Sequence, residues 1–370
     1  MRVPETAASA RFAGLRLSDL VESVDVRERP ERLAEPGWWA LVGEFEGRVR
    51  AWRFADARPA PAAGGAAAGA APWVGPRAGD WVSSLGRAEY VAAVESVRAH
   101  VREGDVYQAN LCRVLSAPLG SDGDEPDAAA LADVLAAGNP APYAGYVHVP
   151  RARGGADRGD DEGVWVVTAS PELFLRLEDG VVTSAPIKGT ATTRDGLTAK
   201  DVAENVMITD LVRNDLQRVC EPGTVEVTTL LGVEEHPGLV HLVSTVQGAL
   251  SPGVAAAQDL WPALLGATFP PGSVSGAPKS SAMRVIAALE PVARGPYCGL
   301  VGWAHVAPDG GVRAELAVGI RTFWWEAGGR GRGVLRFGTG AGITWGSDAA
   351  AEWAETELKA ARLVALASRA

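Results

Sequence analysis

A lysine in a stiff, mostly apolar segment is the first group in this chain that could do chemistry. The run Ala185-Pro186-Ile187-Lys188-Gly189-Thr190 places Lys188 between a proline and a Gly-Thr pair. Pro186 fixes its own φ and favours an extended residue before it, whereas Gly189 allows backbone to approach a ligand closely. If it is buried, such an amine deprotonates more readily and becomes a nucleophile at neutral pH. The alternative is a strand-end lysine whose amine reaches solvent.

Two carboxylates at helical spacing form a second candidate group. The segment from Leu197 to Leu216 is predicted to be a helix, and Asp201 and Glu204 lie on one stripe with Ile208. Carboxylates on a mostly apolar stripe suit a hard cation such as Mg²⁺, which prefers oxygen ligands. The alternative is that both acids only favour the helix dipole in the first turns.

A second acidic stripe lies near the end of the chain. A closing helix is predicted from about Ala349 to Ala367, with Glu352, Glu355 and Lys359 on one charged face. The pattern alone indicates a solvated face with a Glu355–Lys359 pair at a spacing of four residues.

Three more charged or titratable side chains lie within apolar segments. Glu172 follows the Ser170-Pro171 break, either as a rim residue or as a buried carboxyl with a raised pKa. His241 is either a core histidine or a catalyst. Arg321 lies in a strand predicted over Val312 to Trp325 and needs a carboxylate, from a substrate or from an internal salt bridge.

Two small-residue segments could hold anions. The loop from Thr268 to Lys279, which contains Ser273, leads into a helix predicted to begin near Pro278. Backbone N–H groups at such a helix start can bind an anion, although a plain turn would look the same. The run from Gly338 to Gly342 offers backbone donors that no side chain obstructs.

The bulk composition limits the class of protein. The chain has 370 residues and a net charge of −10, which argues against a nucleic-acid or anionic-membrane surface. Its three cysteines have no CxxC spacing, so neither a disulfide framework nor a zinc site is expected. No signal peptide or membrane span is recognised, and a cytoplasmic location is therefore expected. Residues 59–72 and 151–163 are predicted to be exposed loops.

Together these segments resemble the chorismate-utilising enzyme family, and within it the aminodeoxychorismate synthases. The resemblance covers roughly residues 78–366, and the matching motifs occur in the family's order. They are PIKGT (186–190), AENVMITDLVRNDL (203–216), HLVSTV (241–246), FPPGSVSGAPKSSAM (269–283), PYCGLVGW (296–303), GIRT (319–322), GTGAGI (338–343) and AEWAETELKAARL (351–363).

The resemblance implies an α+β fold of two packed antiparallel β-sheets with outer helices. Residues 78–366 would form the chorismate-binding catalytic domain. Residues 1–75 would be a strand-rich region that completes the same body. One departure is Val202, where the family usually has arginine.

The resemblance also implies roles for individual residues. Lys188 would be the nucleophile, whereas anthranilate synthases resemble PIAGT, with alanine there. Glu172 would be the general acid, and His241 matches a histidine tied to pyruvate elimination in anthranilate synthases. Mg²⁺ would be held by Glu204 and Glu355, with Asp201 and Glu352 as partners through water. Positions that match chorismate contacts are Gly189, Thr190, Ser273, Tyr297, Arg321, Gly340, Ala341, Gly342 and Lys359.

The implied activity is amination of chorismate to 4-amino-4-deoxychorismate through a covalent lysine adduct. The product would serve para-aminobenzoate and folate synthesis or a related secondary metabolite. Because no cysteine lies in a nucleophile context, ammonia is expected from a separate glutamine amidotransferase subunit. The alternatives are anthranilate synthase component I, an isochorismate- or salicylate-forming enzyme, and a non-catalytic binding subunit.

Overall fold

The computed structural model describes residues 7–60, 72–120, 125–151, 163–191, 193–236, 239–255, 257–328 and 333–369. Most of the two loops predicted at 59–72 and 151–163 therefore lies outside the described residues. Within these ranges no helix is long and apolar enough to cross a membrane.

Strands make up the centre of the fold. In chain order they are β1 (Ser9–Phe12), β2 (Leu15–Asp25), β3 (Gly37–Gly43), β4 (Val49–Pro59), β5 (Val82–Ser83), β6 (Gln108–Leu119), β7 (Tyr143–Val149), β8 (Val164–Ser170), β9 (Leu173–Glu178), β10 (Val181–Ala185), β11 (Ile187–Ala191), β12 (Glu226–His236), β13 (Leu239–Ala249), β14 (Gly276–Ala277), β15 (Leu300–Val306), β16 (Val312–Val318), β17 (Thr322–Ala327) and β18 (Gly333–Ile343).

Helices connect and cover the strands. They are α1 (Arg87–Glu103), α2 (Ala128–Gly138), α3 (Ala199–Gln217), α4 (Pro252–Ala255), α5 (Ala257–Thr268), α6 (Gly272–Ser275), α7 (Lys279–Leu289) and α8 (Ala349–Ala367). Short 3₁₀ turns lie at Pro30–Ala34, Ala78–Asp80 and Arg194–Gly196.

The named strands pair antiparallel in one continuous sheet, which folds over into two layers. The first layer runs β6, β18, β17, β8, β7. The second runs β4, β3, β15, β16, β9, β10, β13, β12, with β11 also on β13. Strands β1 and β2 join the layers, because β1 pairs with β7 and β2 pairs with β4.

The largest apolar core lies between the two layers. It combines Val114 and Val166 of the first layer with Leu175 and Leu316 of the second. Alternate residues point outward, since successive side chains of a strand face opposite sides. Val167 and Phe323, for example, pack against α2 and α8. The predicted α+β fold, two packed antiparallel sheets with outer helices, is therefore confirmed.

Two predicted helices, the closing helix and the helix predicted over Leu197 to Leu216, are present with nearly the expected bounds. The closing helix α8 spans Ala349–Ala367, as predicted. Helix α3 begins at Ala199 because Thr198 caps it: the Thr198 hydroxyl accepts from the Asp201 N–H, and the Asp201 carboxylate accepts from the Thr198 N–H.

Two predictions on the last third of the chain are corrected. The strand predicted over Val312 to Trp325 is interrupted, because Arg321 has a φ of 51° and turns the chain between β16 and β17. The strand predicted to end at Gly338 continues to Ile343, so the small-residue run from Gly338 to Gly342 is part of β18 and pairs along one edge with β6.

Candidate active site

A cleft with a volume of about 340 Å³ opens between the two layers and gathers most of the predicted site residues. Helix α3 packs on β11 and β13 on one side, and α8 packs on β18 on the other. Predicted residues that line the cleft are Glu172, Lys188, Gly189, Asp201, Glu204, His241, Ser273, Tyr297, Arg321, Gly340, Gly342, Glu355 and Lys359. Ala341 and Glu352 are buried behind its wall, and Thr190 pairs with His241 through the backbone.

Lys188 reaches the cleft because β11 is irregular at that point. Its pairing with β13 shifts register between Ile187 and Thr190. Gly189 has a φ of 92°, and a Cβ there would lie 2.8 Å from the Cβ of Asp201, so only glycine fits. The Asn205 amide of α3 donates to the Leu242 carbonyl at 2.9 Å and thereby fixes the helix to the sheet. Lys188 is half-buried on the cleft wall.

Glu172 is a buried carboxyl in the two-residue link between β8 and β9. Its side chain is 3% exposed, and burial raises its pKa to about 7. A hydrogen bond from Ser273 and the charge of Lys188 oppose this shift without cancelling it. Within the described residues, its Oε1 has no hydrogen-bond partner. Of the two alternatives drawn from the sequence, the buried carboxyl is the one the structure has.

Arg321 is a largely buried guanidinium that lacks an internal counter-ion in the described part of the chain. It lines the cleft, its side chain makes no ion pair or hydrogen bond with another described residue, and burial lowers its pKa. The internal salt bridge weighed as an alternative is thus not found among these residues. A guanidinium of this kind is suited to bind a carboxylate bidentately.

His241 and Tyr297 are both buried at the cleft. His241 lies on β13 and is 2% exposed. The Tyr297 ring packs against Gly338, where a Cβ would come within 2.0 Å of the ring. Burial raises the pKa of Tyr297 well above its usual value. Beyond Phe337, β18 pairs with β6 and with no other described strand, which leaves its other edge open towards the cleft.

The two acidic stripes meet at one end of the cleft. The ammonium of Lys200 lies 2.7 Å from Glu352 Oε1 on α8 and 3.6 Å from Glu204 Oε1 on α3. Lys359 contacts Glu355 Oε1 at 2.6 Å and donates to the Gly340 carbonyl at 3.0 Å. Carboxylates that are distant in sequence therefore share one cluster with two lysines.

The pKa values of the groups in this cluster shift in different directions. Burial raises the pKa of Glu204, although Lys188 and Lys200 oppose the shift. Burial also acts to raise the pKa of Glu355, but the charge and hydrogen bond of Lys359 together with the charges of Lys200 and Lys188 outweigh it, and the net shift is downward. For Lys200, burial acts to lower the pKa, but the hydrogen bond and charge of Glu352 together with the charges of Glu204 and Glu355 outweigh it, so the net shift is upward.

The carboxylate oxygens of this cluster are the type of donor that a hard cation prefers, but they do not all lie close enough together to bind one ion. Glu352 Oε2 is buried and has no hydrogen-bond partner in the described residues, as expected of an oxygen that would bind a cation. No three acidic groups of the cluster lie within 4.8 Å of one another; among the described residues that arrangement occurs only at His100, Glu103 and Asp105 on the surface. Asp201 instead caps α3 through Thr198.

The sequence patterns missed some residues at the site. Lys200 was not singled out, although its spacing of four residues from Glu204 on one helix places the two side chains together. Gln108 is fully buried next to Gly342, and its Oε1 has no partner within the described ranges. Nothing in its local sequence pattern indicates that position.

Comparisons with known proteins agree on the family. A family profile described as chorismate binding enzyme matches residues 69–365. Aminodeoxychorismate synthase component 1 of Klebsiella aerogenes is 36% identical over 296 residues, which are 77% of this chain and 59% of that protein. Anthranilate synthase component 1 of Streptomyces coelicolor is 37% identical over 302 residues, 78% of this chain and 53% of that protein. The aligned part of this chain thus spans little more than half the length of these curated relatives.

Solved structures share the fold over almost the whole chain. A putative 2,3-dihydroxybenzoate-specific isochorismate synthase, DhbC from Bacillus anthracis, matches with a TM-score of 0.76 and 21% identity, covering 98% of this chain and 96% of that one. Anthranilate synthase component I from Streptococcus pneumoniae matches with a TM-score of 0.72 and 22% identity, covering 98% and 94%. At this level of identity the likeness supports the fold alone.

Proposed function

The chain belongs to the chorismate-binding enzyme family, and we propose that it aminates chorismate to 4-amino-4-deoxychorismate. The observation that carries the proposal is Lys188 on the wall of the cleft that also contains Glu172. A lysine at this position resembles the aminodeoxychorismate synthases, whereas the anthranilate synthases resemble an alanine variant of the same motif.

The cleft has charges suited to a dicarboxylate ring. Arg321, which has no counter-ion in the described residues, would bind the enolpyruvyl carboxylate. The open edge of β18, with Gly340 and Gly342, would let that group approach the backbone. Chorismate would therefore lie with its ring between Lys188 and the acidic end of the cleft.

The first chemical step would be an allylic displacement. The neutral amine of Lys188 attacks ring carbon 2, both conjugated ring double bonds shift by one position towards carbon 4, and the bond from carbon 4 to its hydroxyl oxygen breaks. Glu172 gives its proton to that oxygen, which leaves as water. A carboxyl with a pKa of about 7 suits this task, because it is still substantially protonated near neutral pH.

The second step would reverse the displacement with a new nucleophile. Ammonia attacks carbon 4, both ring double bonds shift back, and Lys188 leaves carbon 2 as a neutral amine. The carboxylate of Glu172 takes the excess proton from the new nitrogen. The net reaction converts chorismate and ammonia into aminodeoxychorismate and water.

A divalent cation would be held at the acidic end of the cleft. Glu204 and Glu355 would be its protein ligands, with Asp201 and Glu352 behind them, because Mg²⁺ prefers oxygen donors. When bound, Mg²⁺ would supply positive charge for the ring carboxylate. Ser273, Tyr297 and Lys359 would complete the pocket around the substrate.

Ammonia would come from outside this chain. All three cysteines, Cys112, Cys220 and Cys298, are buried, so none resembles the exposed thiolate that hydrolyses glutamine. A separate glutamine amidotransferase subunit is therefore the proposed source.

Identification of the product tests the proposal. The full chain is incubated with chorismate, Mg²⁺ and an ammonium salt. The products are separated and identified by mass spectrometry, and pyruvate is assayed in parallel. We expect aminodeoxychorismate without pyruvate. Anthranilate with equimolar pyruvate would assign the other amidating reaction, and isochorismate or salicylate would assign water as the nucleophile. Absence of any turnover would favour a non-catalytic subunit.

A further inference from the structure

Lys200 is a cation inside the acidic cluster that the proposed chemistry does not use. It lies in the first turn of α3, with its ammonium 2.7 Å from Glu352 Oε1, 3.6 Å from Glu204 Oε1 and 3.5 Å from the Ser347 hydroxyl. Its side chain is 39% exposed, so it reaches the carboxylates from the solvent side. The ammonium therefore occupies space between the two acid-bearing helices.

Glu352 depends on this lysine for charge compensation. Its side chain is 4% exposed, Lys200 is the cation in contact with it, and its second oxygen, Oε2, has no partner among the described residues. A buried carboxylate that loses its partner is strongly destabilising, because its desolvation is no longer offset. The ion-free protein thus needs a positive charge at this point.

An ammonium and a divalent ion cannot both occupy this position. They repel each other, and they compete for the same carboxylate oxygens. Consistent with this competition, the oxygens of Glu204, Glu352 and Glu355 do not all converge within 4.8 Å while Lys200 lies among them.

We propose that Lys200 is the internal counter-ion of the cation site, which neutralises Glu352 in the ion-free protein and withdraws from it when a divalent ion binds. This inference rests on the proposed cation site. Lys200 weakens the binding of the ion to the free protein. The ion then binds tightly only when the carboxylate of the substrate adds negative charge, and by linkage each strengthens the binding of the other.

The test is the affinity of the substrate-free full chain for Mg²⁺, measured by isothermal titration calorimetry. Lys200→Gln should bind Mg²⁺ about tenfold or more tightly than wild type, because a unit positive charge beside the ion is removed. Lys200→Arg, which keeps the charge, should bind Mg²⁺ as weakly as wild type. The ion-free Lys200→Gln protein should also melt at a lower temperature, and Mg²⁺ should raise its Tm more than it raises that of wild type.

Lys279→Gln is the matched control. Lys279 contacts the buried Asp215 at 2.8 Å, so the variant also strips a lysine from a buried carboxylate, but outside the cluster. Its Tm should fall, whereas its Mg²⁺ affinity should match that of wild type. Equal or weaker binding of Mg²⁺ by Lys200→Gln would overturn the inference and make Lys200 a residue that positions Glu352. If no variant and not even wild type binds Mg²⁺, with or without chorismate, the cation site itself is wrong.

Discussion

At the scale of single residues, the buried carboxyl of Glu172 makes a prediction about pH. Because burial raises its pKa to about 7, the free protein loses the acidic proton as the pH rises through that value. At a fixed concentration of free ammonia, we expect kcat/KM for chorismate to fall on the alkaline side of about pH 7. Glu172→Gln should lower kcat by about 10² to 10⁴ and remove this limb. A wild-type profile that stays flat from about pH 6 to about pH 9 at constant free ammonia contradicts the assignment.

The same carboxyl should also affect the free energy of unfolding. Its folded pKa of about 7 exceeds its ordinary value of 4.5, so the folded protein binds more protons between these pH values. Wild-type stability should therefore fall as pH rises across this window, by at most about 3 kcal/mol. Glu172→Gln should lack that fall, which denaturant titrations at several pH values would measure.

Arg321 should contribute to the binding of chorismate but not to the stability of the free protein. Its guanidinium is largely buried without an ion pair in the part of the chain described, so its charge stabilises nothing in the free protein. Arg321→Gln should keep or raise the Tm and raise KM for chorismate about 10- to 100-fold, the effect of losing a hydrogen-bonded charge. A large fall in Tm with unchanged KM would show that the residue is structural.

At the scale of secondary-structure elements, the close approach of β18 to β6 makes Gly340 essential. A Cβ on Gly340 would lie 2.6 Å from both the Cys112 sulfur and the Leu111 carbonyl oxygen. Gly340→Ala should therefore destabilise the protein by about 1–3 kcal/mol, because the two strands must separate. Gly346→Ala is the control, since a Cβ there meets nothing within 4 Å. Equal unfolding midpoints for the two variants in urea would contradict this account.

The elements also show what sequence patterns reveal. Helix α8 is predicted with nearly its observed bounds, because its side chains follow helical periodicity over five turns. The turn at Arg321 was missed, because an arginine with a positive φ has no local signature. The run from Gly338 to Gly342 looks like a loop by composition. It forms a strand because its glycines make room for the Tyr297 ring and the backbone of β6.

At the scale of the whole molecule, the site exists because two distant parts of the chain meet. Periodicity placed acids on two helices but left the first stripe open to a helix-dipole role and the second to a solvated face, and only the resemblance joined them. The structure adds the physical link, since Lys200 of α3 contacts Glu352 of α8. Strand pairing across β1 and β2 brings the layers together, and such long-range pairing cannot be derived from local pattern.

The isolated chain should use ammonium but not glutamine. Because its three cysteines are all buried, it offers no exposed thiolate for glutamine hydrolysis. With chorismate and Mg²⁺, an ammonium salt should support amination, and at constant pH the rate should rise with the concentration of free ammonia. Glutamine alone should give no product above the blank. Amination at equal rates from glutamine would mean that the chain carries its own glutaminase site.

The most direct test of the account compares wild type with Lys188→Ala. Both proteins are incubated with chorismate, Mg²⁺ and ammonium, and chorismate binding is measured separately by calorimetry. The account predicts that the variant folds and binds chorismate but loses amination by about 10²-fold or more, since its nucleophile is gone. Unchanged formation of aminodeoxychorismate by Lys188→Ala would contradict the covalent mechanism.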